Sequence, residues 1–387
     1  MVTIKKSLHL LTAVLFALMP LASNAETPVV PTQDTVHVAA AEGVHEAHAE
    51  EHVEETNEQF INNFIQHHLM DDHYYAFTAD KEAHRHYGFA LPVILFDNGL
   101  KVFMSSEDFV YNGKVVENGG QYYKYYHGKI YKTDAAGTIT YDENHHPTNE
   151  KPFDFSITKN VVGLLLAALL LFLGFTALAK TYKSSPNNLP KGIARGLEPL
   201  VIYVRDEMAR PNIGDKKYKQ FMPYLLSVFF LIFLLNLMGL TPLGLNVTGN
   251  ISITVCLALF TFLYTNLKAN ADYWKHIFWM PGVPVPMKIV LAPIEVLGMF
   301  TKPFSLLIRL FANITAGHSV VMGLIAVAYV MKETLSTPGA IGVSFLLTTF
   351  LTFLEILVAF LQAFIFTMLS SLFIGSAVQE HAHDDHH

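Results

Sequence analysis

Residues 304–321 read FSLLIRLFANITAGHSVV, a run apolar enough for a bilayer that nevertheless carries Arg309, Asn313 and His318. Estimates for burying one central arginine run from ~2.5–3.5 kcal/mol on insertion scales to ~10–17 kcal/mol for an isolated helix in simulation, so such a residue persists only when paired, wetted or functional. Outward from this run, residues 160–378 hold nearly all the long apolar stretches of the chain. Several approach the ~20 residues that span a bilayer, and no soluble core absorbs so many. The sequence therefore predicts an all-α polytopic membrane protein with about five membrane helices and a long, tilted C-terminal helical hairpin. A small α+β extension outside the cytoplasm precedes it.

Hydrophobic residues make up 51% of the 387, and the net charge of −7 comes largely from an acidic N-terminal segment. That balance argues against nucleic acid as a partner, which calls for a basic surface. Cys256 is the single cysteine, so no intramolecular disulfide forms. Residues 1–25 have the parts of a signal peptide: Lys5 and Lys6, the apolar LHLLTAVLFALMPLA, and the small residues of Ser23-Asn24-Ala25. The other reading is an uncleaved first membrane helix, and both readings put residues 26–158 outside the cytoplasm.

Residues 26–58 lack an apolar period and read as a disordered acidic, His-rich tether. His45, His48 and His52 have no matched second pair of ligands, which favours a solvated polar tract over a metal site. Across 59–158, FINNFIQHHLMDDHYYAF (60–77) reads as one short amphipathic helix. ALPVILF-DNG-LKVFM reads as a β-hairpin turning at Asn98-Gly99, and YYKYYHGKIYKT and TITY suggest further short strands. No catalytic constellation appears there.

The membrane domain, 159–380, opens with the span VVGLLLAALLLFLGFTALA (161–179). The connection after it carries Lys180, Lys183, Lys191, Arg195, Arg205 and Arg210, and the positive-inside rule makes it cytoplasmic. Within it, GIARGLEPLVIYVRDEMA suggests a helix lying on the membrane surface. FMPYLLSVFFLIFLLNLMGL (221–240) returns outward and ISITVCLALFTFLYTNL (251–267) comes back in. After the helix-breaking WMPGVPVP, two long segments follow at 287–332 and 340–378. The first exceeds the bilayer thickness and is expected to break at Pro303, so that it tilts, kinks or lies partly along the interface. The His-rich tail 381–387 then lies in the cytoplasm.

Helical geometry sorts the polar residues of these two segments. Lys302, Ser305, Arg309 and Asn313 fall on one face, whereas His318, nine residues past Arg309, lies on the opposite face about 13 Å along the axis. Glu355 and Gln362 are seven apart and share a face. Folding the segments antiparallel about Thr337-Pro338 levels Arg309 with Gln362, and His318 with Glu355. Arg309 does not deprotonate, so it suits a fixed charge rather than a relay. A His/Glu pair titrates and hands protons along near neutral pH. Glu295 is a second acidic station on the other side of Arg309. The blander readings are an arginine held by lipid phosphate or a neighbour's carboxylate, and a histidine that merely packs. Asn236 and Asn250 either bond helices together or line an aqueous entrance.

At these residues the chain resembles a family. KPFSLLIRLFANITAGH (302–318) is similar to the penultimate helix of subunit a of the rotary ATP synthase, and LQAFIFTMLSSLFIGSAV (361–378) to its last helix. FLLNLMGLTP, NISITVCLAL and the RGLEP segment fit in the same order, whereas the exported region adds nothing to the likeness. The resemblance implies a non-catalytic stator channel without cofactor, in the bacterial inner membrane, beside a rotating ring of c subunits. Its partners would be that ring, the subunit b peripheral stalk, the other ATP synthase subunits and the lipid bilayer. It further implies that Arg309 faces the ring, with Asn313, Ser305 and Gln362 near it. Glu295 would belong to the cytoplasmic half-channel, His318 and Glu355 to the external one, reached past Asn236 and Asn250. Gly239 departs from members with an acid there. A solute transporter is the rival class, but 161–267 and 287–378 show no repeat. A purely structural anchor would not need the polar hairpin.

Overall fold

The computed structural model describes residues 71–80, 85–126, 128–142, 146–184, 192–241, 245, 247–280, 282–330 and 337–378. The expected signal peptide, the expected tether with its histidines, residues 60–70 of the expected helix and the tail 381–387 lie outside these residues.

The N-terminal region is built from short antiparallel strands. β1 (Tyr74–Asp80) pairs with β2 (Arg85–Ala90). β3 (Val93–Phe96), β4 (Leu100–Phe103) and β8 (Phe153–Asp154) form a sheet in the order β4-β3-β8. β5 (Val116–Asn118), β6 (Gln121–Tyr126) and β7 (Lys129–Thr133) form another. The β3–β4 turn is where its residues demand it: Asn98 has φ 49° and Gly99 φ 137°, values that asparagine and glycine tolerate best. Two expectations change. Residues 74–77 are strand rather than helix, because aromatic Tyr75 finds a cross-strand partner in Phe89, ring centroids 5.1 Å apart. TITY makes no strand; Tyr141 forms a single bridge to Pro147. Val93, Leu95, Phe109, Tyr123 and Ile130 make the core of this region. At its edge the Tyr123 hydroxyl donates to Asp97 (2.9 Å), and burial with that carboxylate pushes the phenol up to about 12.

A buried polar junction joins this region to the first long helix. His73 Nε2 lies 3.0 Å from Asp154 Oδ2, Thr158 Oγ1 donates to Asp71 (2.9 Å), and Tyr125 donates to Asp72 (3.0 Å). Burial pushes the His73 imidazole down, but the hydrogen bond and charge of Asp154 outweigh it and leave the group above its ordinary 6.5. A histidine raised by folding adds stability that is complete below 6.5 and is lost as pH rises through the raised value. Limited proteolysis around 71–74 and 153–158 should therefore quicken as pH climbs through and above that range. His73→Ala should remove the pH step and cost about 3–5 kcal/mol, as breaking a buried pair does. Cleavage that stays unchanged as pH rises from below 6.5 to well above it would contradict this account.

The remainder is helical. α1 spans Lys159–Ser184, and α2 (Ile193–Tyr203) continues through a π-helical turn, Val204–Ala209, into Arg210–Ile213. α3 spans Tyr218–Gly239, α4 Ile251–Leu267, α5 Ala271–Phe278, α6 Val285–Val330 and α7 Thr337–Val378. Four of these helices are long and apolar enough to cross a membrane, and a fifth crossing arises if α4 and α5, bent by 103°, form one span. α3 is the central element: 61% of its apolar window is buried, against 6% for the first half of α6, which lies at the periphery. Phe221, Leu225, Phe229, Ile232 and Leu235 of α3 are buried, and α3 packs on both α1 and α7, with Phe221 against Tyr264 of α4. In lipid such packing, rather than escape from water, holds helices together.

Contrary to expectation, α6 runs unbroken through both Pro293 and Pro303. A proline removes one backbone hydrogen bond and crowds the preceding turn, costing about 3 kcal/mol in an isolated helix. Here the turns around Pro303 are clamped. Phe300 packs on Phe262 of α4 (5.5 Å), Leu306 is buried, and Lys302 Nζ sits 5.2 Å over the Phe373 ring of α7.

At the far end of α7, Gly375 lies against the Asn212 backbone carbonyl, and any Cβ there would overlap it. The same asparagine donates to Ser371 Oγ (2.7 Å) and to the Met208 carbonyl (2.8 Å), so it has little room to yield. Gly375→Ala should destabilise the α7 docking by about 1–3 kcal/mol. A thermal melt of the purified chain in detergent checks it, and an unchanged midpoint counts against this contact.

Candidate functional site

The polar residues gather along the seam of α6 and α7. Gln362 is 3% exposed, and its Nε2 donates to the Arg309 backbone carbonyl across 3.3 Å. That contact fixes the antiparallel register with Arg309 and Gln362 at one level. Seven residues along α7 bring the chain to Glu355, and nine along α6 to His318, an axial offset of about 3 Å. Asn313 and His318 lie within the helical backbone of α6, and their side chains fall outside the described residues.

Arg309 is half-buried at the margin of an open stripe. Phe304, Ser305, Ile308 and Ala312 are exposed at helical spacing on one side of it, and Leu306 is buried on the other. Among the described residues no carboxylate forms an ion pair with Arg309. On α7, Leu354, Leu357, Val358 and Leu361 are exposed likewise. The guanidinium thus borders an apolar flank that is open along both helices.

On one side of Arg309, Glu355 is half-buried and shares a helix face with Ala359 and Gln362. The Ala359 carbonyl accepts from Asn236 Nδ2 of α3 (3.5 Å), and Asn236 Oδ1 accepts from Thr248 Oγ1 (3.0 Å). A polar link therefore runs from the α3–α4 connection to within one turn of Glu355. Asn236 is an interhelical hydrogen-bonder. Asn250 is a helix cap, accepting from Ser252 N at the start of α4 (3.0 Å).

On the other side, Glu295 is half-buried, two turns before Lys302, with Lys302 and Tyr273 of α5 within its electrostatic reach. Between them lies a pocket whose polar wall is Thr261, Thr265 and Asn266 of α4, Tyr273 of α5 and Lys302. Sequence reasoning passed over that α4 wall. The signal was present in the spacing of Thr254, Thr261 and Thr265, which puts three hydroxyls on one helical face. Thr261 accepts from the Tyr224 hydroxyl of α3 (2.7 Å), so the stripe is also tied to the core. Among the described residues no cluster suits a metal ion.

Chemically, the arrangement offers a non-titrating cation between two groups of titratable or hydrogen-bonding side chains, beside a face open to a partner. Comparison with known proteins identifies the family. Residues 161–375 match the family model described as ATP synthase A chain. A protein named ATP synthase subunit a 2 from Chlorobaculum tepidum is 46% identical over 241 residues, 61% of this chain and 66% of the relative. ATP synthase subunit a of Chloroherpeton thalassium is 45% identical over 240 residues, 60% of this chain and 69% of the relative. That of an Anaeromyxobacter species is 39% identical over 274 residues, 67% of this chain and 62% of the relative. The chain spans about two thirds of the length of these relatives. The N-terminal region, which adds nothing to the sequence resemblance, does have a counterpart: residues 64–155 match a domain of unknown function (DUF8433).

Proposed function

The chain belongs to the ATP synthase A chain family, and we propose that it is the stator channel of that machine, passing protons through two offset half-paths to and from carboxylates on a rotating c-ring. It catalyses no bond change itself. The N-terminal region lies outside the cytoplasm and the C-terminus within it, in a bacterial inner membrane. The observation that carries this reading is the level pairing of Arg309 and Gln362 beside an open apolar flank. There a fixed charge meets whatever passes along α6 and α7.

The mechanism follows from charge and desolvation. A proton enters past Asn236 and Thr248, reaches Glu355 and His318, and moves to a ring carboxylate. The neutral carboxyl can then leave for lipid, where the charged form would be too costly. After most of a turn the ring site returns its proton on the Glu295 side, through the pocket walled by Thr261, Thr265 and Asn266. Arg309, with Ser305, Asn313 and Gln362 around it, holds the carboxylate in its ionised form. Because the guanidinium does not release its own proton, it also blocks a direct shortcut between the half-paths. The c-ring, the subunit b stalk and the other ATP synthase subunits are the partners this role requires.

Proton flux in reconstituted vesicles tests the proposal. With the ring present, a pH gradient should drive flux through the complex. Without the ring, the subunit alone should conduct at the vesicle background, since neither half-path crosses the membrane by itself. Flux from the isolated subunit would overturn the two-path mechanism.

A further inference from the structure

The outward face of the β4-β3-β8 sheet is apolar. In a three-stranded antiparallel sheet one face normally packs on the core and the other carries polar groups to water. Here the inward residues Val93, Leu95 and Phe103 pack on the Phe109–Tyr123 core, and Asp154 turns inward to His73. The register then places Phe96 opposite both Leu100 and Phe153, and Ile94 opposite Val102, on the outward face. Phe155 joins them, its N–H donating to the Ile94 carbonyl (2.8 Å). Phe96, Leu100, Val102, Phe153 and Phe155 are all exposed, and no polar side chain interrupts the face. A contiguous patch of this kind marks a surface with an occupant.

We infer that this face is the docking surface for residues 60–70 of the same chain. Four observations support that occupant. First, Phe60, Ile61, Phe64, Ile65 and Leu69 fall within one half of a helical wheel, with His68 the one polar residue among them, while Asn62, Asn63, Gln66 and His67 share the other half with Met70. Second, the segment ends at Asp71, whose carboxylate accepts from Thr158 Oγ1 and the Asn160 N–H. Phe155 precedes Thr158 by three residues, about 10 Å of chain, so the segment is tethered beside the patch. Third, eleven residues of helix measure about 16 Å and a four-residue strand about 13 Å, so one short helix covers the sheet along its length. Fourth, the match to the domain of unknown function begins at residue 64, inside the segment, so residues 64–70 belong with the domain that carries the patch.

Disulfide trapping tests the inference in the full chain, in membranes, with buried Cys256 left in place. Phe64→Cys with Val102→Cys should cross-link within one chain under a mild oxidant. Phe64→Cys with Glu117→Cys, on the other sheet, should not. A band at twice the mass would assign the face to a second copy and overturn the inference. So would equal trapping by both pairs. A second measurement does not depend on the segment's folding. Val102→Cys should react slowly with a membrane-impermeant maleimide, and Phe64→Asp with Ile65→Asp should speed it about tenfold, as when ~1.4 kcal/mol of covering free energy is lost. An unchanged rate, or labelling of Val102→Cys by a lipid-borne photoprobe, would place the bilayer on the face instead.

Discussion

Replacing Arg309 by alanine should abolish proton-driven ATP synthesis and ATP-driven proton pumping together. Removing an electrostatic group at a reacting charge ordinarily costs about 10²–10³ in rate, and this variant loses a second property as well. The guanidinium is the one described side chain on the open flank of α6 that holds a permanent charge between the two polar groups. Alanine leaves the Gln362–Arg309 contact intact in principle, since glutamine bonds the backbone carbonyl and not the side chain. The helix register survives while the charge goes. Passive proton leak through the ring-bearing complex should therefore rise even as coupled transport vanishes. Lysine is not a substitute, because a desolvated ammonium sheds its proton where a guanidinium does not. Fluorescence quenching in inverted vesicles, before and after stripping the catalytic head, measures both quantities. Preserved ATP-driven pumping in Arg309→Ala would sink the assignment.

Glu355→Gln is the second large effect. Glutamine keeps the size and hydrogen-bonding capacity of the side chain and removes only its titration. Glu355 stands half-buried among exposed Leu354, Ile356 and Leu357, one turn from the Ala359 carbonyl that takes the Asn236 amide. A positioned acid–base group is ordinarily worth about 10²–10⁴ in rate, so pumping should fall at least about 10²-fold without any loss of assembled complex. Adding His318→Ala should cost much less than it does alone, since residues that act as one unit are non-additive. Wild-type pumping by Glu355→Gln would remove it from the outer path.

The sequence made some of this plain and hid the rest for physical reasons. α3 and α7 were legible because lipid imposes long apolar runs, and the β3–β4 hairpin because Asn98-Gly99 suits few other turns. The level pairing of Arg309 and Gln362 was legible because two long antiparallel helices with only residues 331–336 between them in sequence admit few registers. The continuity of α6 was not, since Pro303 reads as a breaker until Phe262 and Phe373 are seen packed on its neighbours. Nor was the strand at Tyr74–Asp80, whose aromatic residues fit a helix face as well as a sheet. The His73–Asp154 contact joins residues 81 apart, beyond any local pattern. The Thr261–Thr265 wall escaped notice because a threonine in a membrane helix bonds its own backbone as readily as it lines a water path.

The unbroken α6 has an electrical consequence. Its 46 residues make a rod of about 69 Å, which stays inside a ~30 Å hydrocarbon layer only if its axis leans about 64° from the normal. Each residue then gains only about 0.65 Å of depth instead of 1.5 Å. Glu295 and His318, some 35 Å apart along the rod, would differ in depth by about 15 Å. If water reaches both, as the proposed half-paths require, the membrane voltage would drop across roughly half the layer, and the field at Arg309 would be about twice that of an intact bilayer. Depth-dependent quenching of probes at 295 and 318 reads that compression directly: a separation near 35 Å would mean an upright helix and no such concentration of the field.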